Sequence, residues 1–375
     1  MSKELKYFIK TSVTGLDAIK RAPIVSYDTG IKCLRIGDVS KSNDYHFWGY
    51  TEVNNTDYEK FHIKKNDIFI ARTGASIGCT FIAKKNYNSV FNNGLIRVRI
   101  NENALPQYIY YLFKTNSFQS FITATGMSSA TQPNIRISDL LKYSVNKFHT
   151  LTEQQHIVNT IGSLDNLIEN YDNQISKLLN ILEISLSDKS RVPFEYYKPQ
   201  IVKSGIKKYN NTKNYLDTSS VEGINNILEF DSFSFEERPS RANMGPLSDS
   251  IWFAKMKGSK KVIIVTNKDD DLLNNYIFST GYLGIKATNE LPLSFLMGII
   301  SSPNFFVQRD LNSIGTTMAG VNNETFNKIM VPKLSNEEIK YFDEKFAPLV
   351  IHLASYRRKI KKLKKLKILL LNKYF

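Results

Sequence analysis

Two stretches of this chain carry a heptad pattern in the same phase, half a chain apart. Ile157, Ile161, Leu164, Ile168, Tyr171, Ile175, Leu178 and Leu182 follow one another at spacings of 4, 3, 4, 3, 4, 3 and 4. Phe342, Phe346, Leu349, Leu353, Tyr356, Ile360, Leu363, Lys367 and Leu370 repeat that spacing, and adding 185 carries the first set onto the second. An apolar period of about 3.5 residues marks a helix that must bury a narrow stripe against another helix. Each stripe needs a partner, and the other helix is the nearest candidate. Charge favours a direction. Asp165, Glu169 and Asp172 lie early in the first stretch, and Arg357–Lys367 places eight basic residues late in the second. Antiparallel pairing brings these together and carries Lys177 and Lys189 toward Glu337, Glu338, Asp343 and Glu344. A single surface pair contributes only a few tenths of a kcal/mol, but a whole face sets orientation. Thr152 followed by Gln155 reads as the N-cap of the first helix.

The segments before the helices repeat as well. Asp67–Arg72 resembles Ser250–Lys255 at an offset of 183, and Phe91–Gly94 resembles Phe278–Gly281 at 187. Pro106–Ile109 matches Pro292–Phe295, and Ile135–Phe148 overlays Val321–Leu334, both at 186. Short apolar runs bounded by Gly, Asn and Asp predict strands at Lys32–Ile36, Asp67–Ala71, Thr80–Ala83 and Leu95–Ile100. Ile251–Lys255, Val262–Thr266 and Ile285–Thr288 read as strands of the second copy, with helices expected at 106–122 and Leu293–Ser301. The fold class is α+β. Residues 1–150 form a first globular domain, 151–190 a central helix, 191–335 a second domain and 336–375 a C-terminal helix.

The 375 residues carry 50 Lys+Arg against 35 Asp+Glu, a formal charge of +15. The excess is uneven: +9 over residues 1–152, −4 over 153–189, +3 over 190–336 and +7 over 337–375. Such basicity points to an acidic partner, with nucleic acid foremost. The two cysteines, Cys33 and Cys79, are too few for a disulfide framework or a four-thiolate zinc site. The N-terminus lacks the apolar core of a secretory signal, and the apolar stretch near Leu291–Ile300 is too short to span a bilayer. The expectation is a cytoplasmic protein with no membrane partner.

Catalytic machinery is not evident. There is no phosphate loop, no dinucleotide fingerprint and no Asn/Asp-Pro-Pro-aromatic segment. The five histidines show no metal-ligand spacing, and Asp269-Asp270-Asp271 reads as a polar loop. DNA recognition is better supported. Arg35, Arg72, Arg97 and Arg99 lie on or beside strands or turns, and Arg72-Thr73-Gly-Ala-Ser76 sets a guanidinium among small residues in a tight turn. Glycine permits close backbone approach, and arginine binds guanine bidentately; a plain strand-end turn is the competing reading. Arg238, Arg241, Lys255 and Lys257 offer similar groups in the second copy. The loops containing Gln132 and Asn134, and Thr316 and Thr317, occupy matching places and are rich in small donors. No metal site and no cofactor of its own are expected.

Gly37-Asp-Val39, Asn66-Asp-Ile-Phe-Ile-Ala-Arg-Thr-Gly-Ala-Ser-Ile-Gly78, Gln132-Pro-Asn-Ile-Arg-Ile-Ser-Asp-Leu140 and Leu151-Thr-Glu-Gln-Gln-His-Ile157 together resemble the specificity subunit of type I restriction–modification systems, over essentially the full chain. The second copy departs from the pattern, with Lys255-Met-Lys257 for Arg-Thr-Gly and Asn336-Glu-Glu338 for the Glu-Gln-Gln opening. The resemblance implies two target recognition domains, each reading half of a bipartite asymmetric double-stranded DNA site, held apart by an antiparallel coiled coil. It also implies a non-catalytic subunit that docks two modification subunits, which methylate adenine N6 with S-adenosylmethionine, and restriction subunits driven by ATP and magnesium. A stand-alone bipartite DNA-binding regulator is the alternative, and a protein-binding scaffold a third reading.

Overall fold

The elements follow from short buried runs and two long periodic stretches. The computed structural model describes residues 2–41, 44–127, 133–228, 230–316 and 319–375. The chain divides into two units, Met1–Asn166 with Lys364–Phe375, and Leu167–Leu363.

In the first unit, Ile68–Ala71 lies between Leu95–Ile100 and Thr80–Ile82, and Ile9–Thr14 completes an antiparallel four-stranded sheet. Its residues alternate between two cores. Ile68 and Ile70 join Tyr108, Ile109 and Phe118, whereas Phe69 and Ala71 join Trp48, Val90 and Phe91. A strand buried on both faces reads as a continuous apolar run rather than an alternation, which is why Ile-Phe-Ile-Ala stands out. A second sheet runs Ile24–Val25, Gly49–Thr51, Lys32–Leu34 and Ser89–Phe91, the last two parallel. Instead of one helix over 106–122, the structure has two, Pro106–Leu112 and Asn116–Met127. Thr115 makes the break: its hydroxyl donates to Leu112 O and accepts from Phe118 N, capping the next helix.

The second unit repeats the strand order of the larger antiparallel sheet, whereas its other sheet carries the fourth strand on the opposite edge. Gln200–Ile201, Tyr282–Lys286, Ser250–Ala254 and Val262–Val265 form one antiparallel sheet. Asp231–Phe233, Lys213–Leu216, Tyr276–Ser279 and Ala242–Met244 form the other, with its central pair parallel. The strand read at Ile285–Thr288 begins earlier, at Tyr282. Gly284 masks it, since glycine breaks an apolar run; in the sheet it faces Trp252, whose ring fills the space a Cβ would take. Leu293–Ile300 is helical, as read.

The long helices are Leu151–Ser187 and Asn336–Tyr374. The first is capped two residues earlier than the sequence reading places it. Thr150 N donates to Glu153 Oε2 at 2.8 Å and Glu153 N to Thr150 Oγ1 at 3.3 Å, a reciprocal capping box. Ser335 and Glu338 repeat that box 185 residues on, at 2.8 and 3.2 Å. Gln154, fully buried, accepts from Leu105 N and donates to His149 O, which ties the helix start to its own unit. Pro348 sits inside the second helix, which forgoes one backbone hydrogen bond there.

Each unit buries part of both seams. In the first, Ile157 and Ile161 lie in the core with Leu371, and Leu370, Tyr374 and Phe375 pack on it; Leu164 is buried too. Lys367, the polar residue of the seam, pairs there with Asp165 at 2.5 Å. In the second, Ile175, Leu182, Phe342, Phe346, Leu353 and Ile360 are core residues, with Ile168, Tyr171, Leu178, Leu349 and Tyr356 packed against them. Tyr171 stacks on Tyr356 with centroids 5.0 Å apart, and Leu363 is half-buried. Lys189 reaches Glu338 at 2.9 Å. Residue numbers rising along one helix thus meet numbers falling along the other.

The basic run does not serve the acidic helix alone. Arg358 pairs with Asp269 at 2.7 Å and Lys361 with Asp271 at 2.9 Å, so the Asp269–Asp271 segment is a partner for this run. Arg357 is buried, and its Nε, Nη1 and Nη2 have no hydrogen-bond partner among the described residues.

Candidate nucleic-acid interface

Strand Ile68–Ala71 is so fully enclosed that Arg72 is the first residue able to leave the sheet. Its backbone is held on both sides: Arg72 N donates to Gly94 O at 3.0 Å and Ile135 N donates to Arg72 O at 2.9 Å. Gly74 N donates to Pro133 O at 3.1 Å, and Gly74 has φ +73°, a left-handed conformation that favours glycine. Thr73, half-buried, faces Asn134 in an isolated antiparallel bridge, and Ser76 closes the turn Gly74–Ser76. The side chain is held as firmly. Arg72 Nε and Nη2 donate to Asn134 Oδ1 at 3.2 and 3.1 Å, and Nη1 donates to Thr14 Oγ1 at 3.4 Å. Asn134 and Thr14 are neutral, so the guanidinium is oriented without being neutralised.

In the second unit, Ser250–Ala254 is buried at every position and delivers Lys255 in the same way. Lys255 N donates to Gly281 O at 2.9 Å, Val321 N to Lys255 O at 3.1 Å and Lys257 N to Ala319 O at 2.9 Å. These bonds match those of Arg72, Ile135 and Gly74 at offsets of 183–187, and the bridge between Thr73 and Asn134 matches one between Met256 and Gly320. Lys255 lines a cavity of about 560 Å³ with Lys203, Ser204, Thr280, Tyr282 and Asn323. Burial and, next, the neighbouring Arg241 push its ammonium below the usual lysine range. The Arg241 guanidinium lies at Gly281, where a Cβ would come within 3.3 Å of Nη2. Two lysines and the hydroxyl residues Ser204 and Thr280 therefore line one cavity, with the Arg241 guanidinium beside Gly281, an arrangement suited to phosphate oxygens.

The remaining candidates divide. Arg35, Lys257 and Thr316 are exposed, and Arg35 precedes the short helix Ile36–Ser40. Arg97 is a correction. Its side chain is buried, donating to His62 O and Lys60 O at 3.2 Å each, with Asp67 at 3.8 Å and the Phe91 ring beneath it. Burial lowers its pKa to about 10, and the group is unavailable to DNA. Its neighbour Arg99 is engaged twice by Asp67, at 2.6 and 3.0 Å. Arg238 is turned onto its own loop, over the Phe235 ring at 3.9 Å and bonded to Phe235 O and Ala242 O. Gln132 and Thr317 lie outside the described residues. Thr14, Lys203, Ser204 and Thr280 escaped the sequence reading. Each comes from a strand or loop distant in sequence, and nothing in its local pattern distinguishes it.

The family model "Type I restriction modification DNA specificity domain" matches residues 30–180. A search of the curated proteins finds no match. Among solved structures, the type I restriction–modification S subunit from M. genitalium is similar at 17% identity and a TM-score of 0.54, covering 100% of this chain and 96% of that one. The HsdS subunit from Thermoanaerobacter tengcongensis aligns at 10% identity with a TM-score of 0.38, covering 100% and 96%. The fold is thus that of the M. genitalium S subunit, and residues 30–180, which hold Arg72, Asn134 and the first long helix to residue 180, are similar to the type I restriction modification DNA specificity domain.

Proposed function

We propose that this chain is the specificity subunit of a type I restriction–modification complex, a non-catalytic reader of double-stranded DNA. Each unit reads one half of a bipartite asymmetric site. The two long helices pair as an antiparallel coiled coil within a pseudo-twofold repeat, and their length sets the unread gap. The observation that carries the reading is the shared backbone frame. One set of hydrogen bonds, repeated at offsets of 183–187, brings a cation to the end of a buried strand in both units. A helix of 37 residues is about 55 Å long, more than one ~34 Å turn of DNA.

Docking is supported by apolar side chains on the helices that face solvent, among them Ile184, Leu366, Ile368 and Leu369. These suit two modification subunits carrying S-adenosylmethionine, to which restriction subunits with ATP and magnesium are added. Comparing the adenine methylation of host DNA with and without the gene tests the reading. Loss of one bipartite motif is expected, and an unchanged methylome would refute it. Inserting four residues after Ser176 should lengthen or shorten the gap and leave both half-sites alone; altered half-site bases would count against the ruler.

A further inference from the structure

The two units deliver their cations through one frame but hold them differently. Arg72 donates from Nε and Nη2 to Asn134 and from Nη1 to Thr14. Of the five N–H donors of a guanidinium, one on Nη1 and one on Nη2 are left over, on adjacent nitrogens. Arg72 itself is partly exposed. In the second unit the bridge that carries Asn134 carries Gly320, which has no side chain, and Lys255 makes no side-chain hydrogen bond among the described residues. A planar fork locked in one orientation opposes a rotating point charge.

We infer that Asn134 is a positioning residue that aims Arg72 as a reader of a base edge, and that Lys255 attracts phosphate without reading sequence. The inference rests on the DNA-recognition reading above and adds to it an asymmetry between the half-sites. Two adjacent donors fixed in a plane match the O6 and N7 acceptors of guanine, the contact that gives arginine its selectivity. A lysine ammonium, compact and free to rotate, has no such directional demand. Asn134 contributes by removing the rotational freedom of the fork while leaving its charge intact.

The test uses the complex recovered on a tagged full-length chain from its own host, with duplexes selected from a randomised pool and sequenced. Wild type should enrich a bipartite site; a pool without enrichment would overturn the DNA-recognition reading and this one with it. Asn134→Ala should flatten the preference at one base pair of one half-site about tenfold, within the range of a bidentate contact, and leave the other half-site unchanged. Arg72→Lys, which keeps the charge and loses the fork, should flatten the same base pair, and it serves if Asn134→Ala fails to fold. Asn134→Asp keeps the acceptor, so the preference should survive while affinity falls. In an Arg72→Ala background, Asn134→Ala should have no further effect. Lys255→Ala should weaken binding uniformly and make its salt dependence shallower, with no base preference lost. Additive effects of Asn134 and Arg72 would overturn the positioning role, because Asn134 would then contact DNA itself. Loss of a base preference on Lys255→Ala would overturn the asymmetry.

Discussion

Replacing Arg357 by methionine should stabilise the protein. Its guanidinium is buried with three nitrogens unbonded among the described residues. Burial drives its pKa far below the ordinary arginine value; Asp269 offsets part of that and Arg358 adds to it. Asp269 itself is already engaged, by Arg358 at 2.7 Å and by Thr266 N and Oγ1 at 2.8 and 2.6 Å. Removing Arg357 therefore orphans no acceptor. An unsatisfied buried donor costs about 1–3 kcal/mol, and exchanging buried charges for apolar side chains stabilises by about 1–4 kcal/mol. Methionine retains much of the apolar stem, so a gain of about 2 kcal/mol is expected, or roughly 4–8 °C for a unit of this size. Calorimetry of the full chain reads it directly. Arg358→Met is the contrasting variant: it strips a buried carboxylate of its partner and should lower the melting temperature by an amount corresponding to about 1–3 kcal/mol. Two variants of the same sign, or a clear loss of stability in Arg357→Met, would show that the buried guanidinium is satisfied and refute the reasoning.

Further tests address other features. Thr150→Ala and Ser335→Ala should each cost about 1 kcal/mol by loss of a capping box, measured by denaturant unfolding; equal midpoints for wild type and variants would contradict the caps. Gly284→Ala places a Cβ 2.5 Å from the Trp252 ring, and overpacking of that kind costs about 1–3 kcal/mol; an unchanged melting temperature would show that the sheet yields. Lys114 is pushed down to about 8, first by burial and then by Lys367. Its folded pKa lies below the unfolded value, so the unfolded chain binds more protons between them and stability rises with pH from about 8 to 10.5. Lys114→Met should flatten that rise and raise stability most at pH 7, and a slope identical to wild type would remove Lys114 as its source.

Periodicity made the helices legible. A stripe such as Ile157–Leu182 recurs at fixed spacing, and its phase survives whatever packs on it. The strand Ile68–Ala71 was legible because burial on both faces leaves four apolar residues in a row. The site was harder. Arg72 and Lys255 stand directly after such strands, so position in the chain already marked them. Arg97 lies on a strand as well and was read the same way. Its burial depends on the carbonyls of Lys60 and His62, which no local pattern connects to it. The cap moved from Thr152 to Thr150 because two threonines and a run of Glu-Gln-Gln offer overlapping boxes, and Glu153 rather than Gln155 closes the one that forms. Nothing in the sequence alone marked Asn134 as the acceptor for Arg72, 62 residues away.

Residues 364–375 lie in the first unit, where Leu371 is part of the core and Phe375 packs against Tyr108. On the ribosome this inverts the usual order, in which an N-terminal domain finishes before the next emerges. The first unit to be made must wait for these residues, after some two hundred others have been translated. Until then the apolar surface around Tyr108 and Ile161 stays open, and the nascent chain carries an unfinished core through most of its own synthesis.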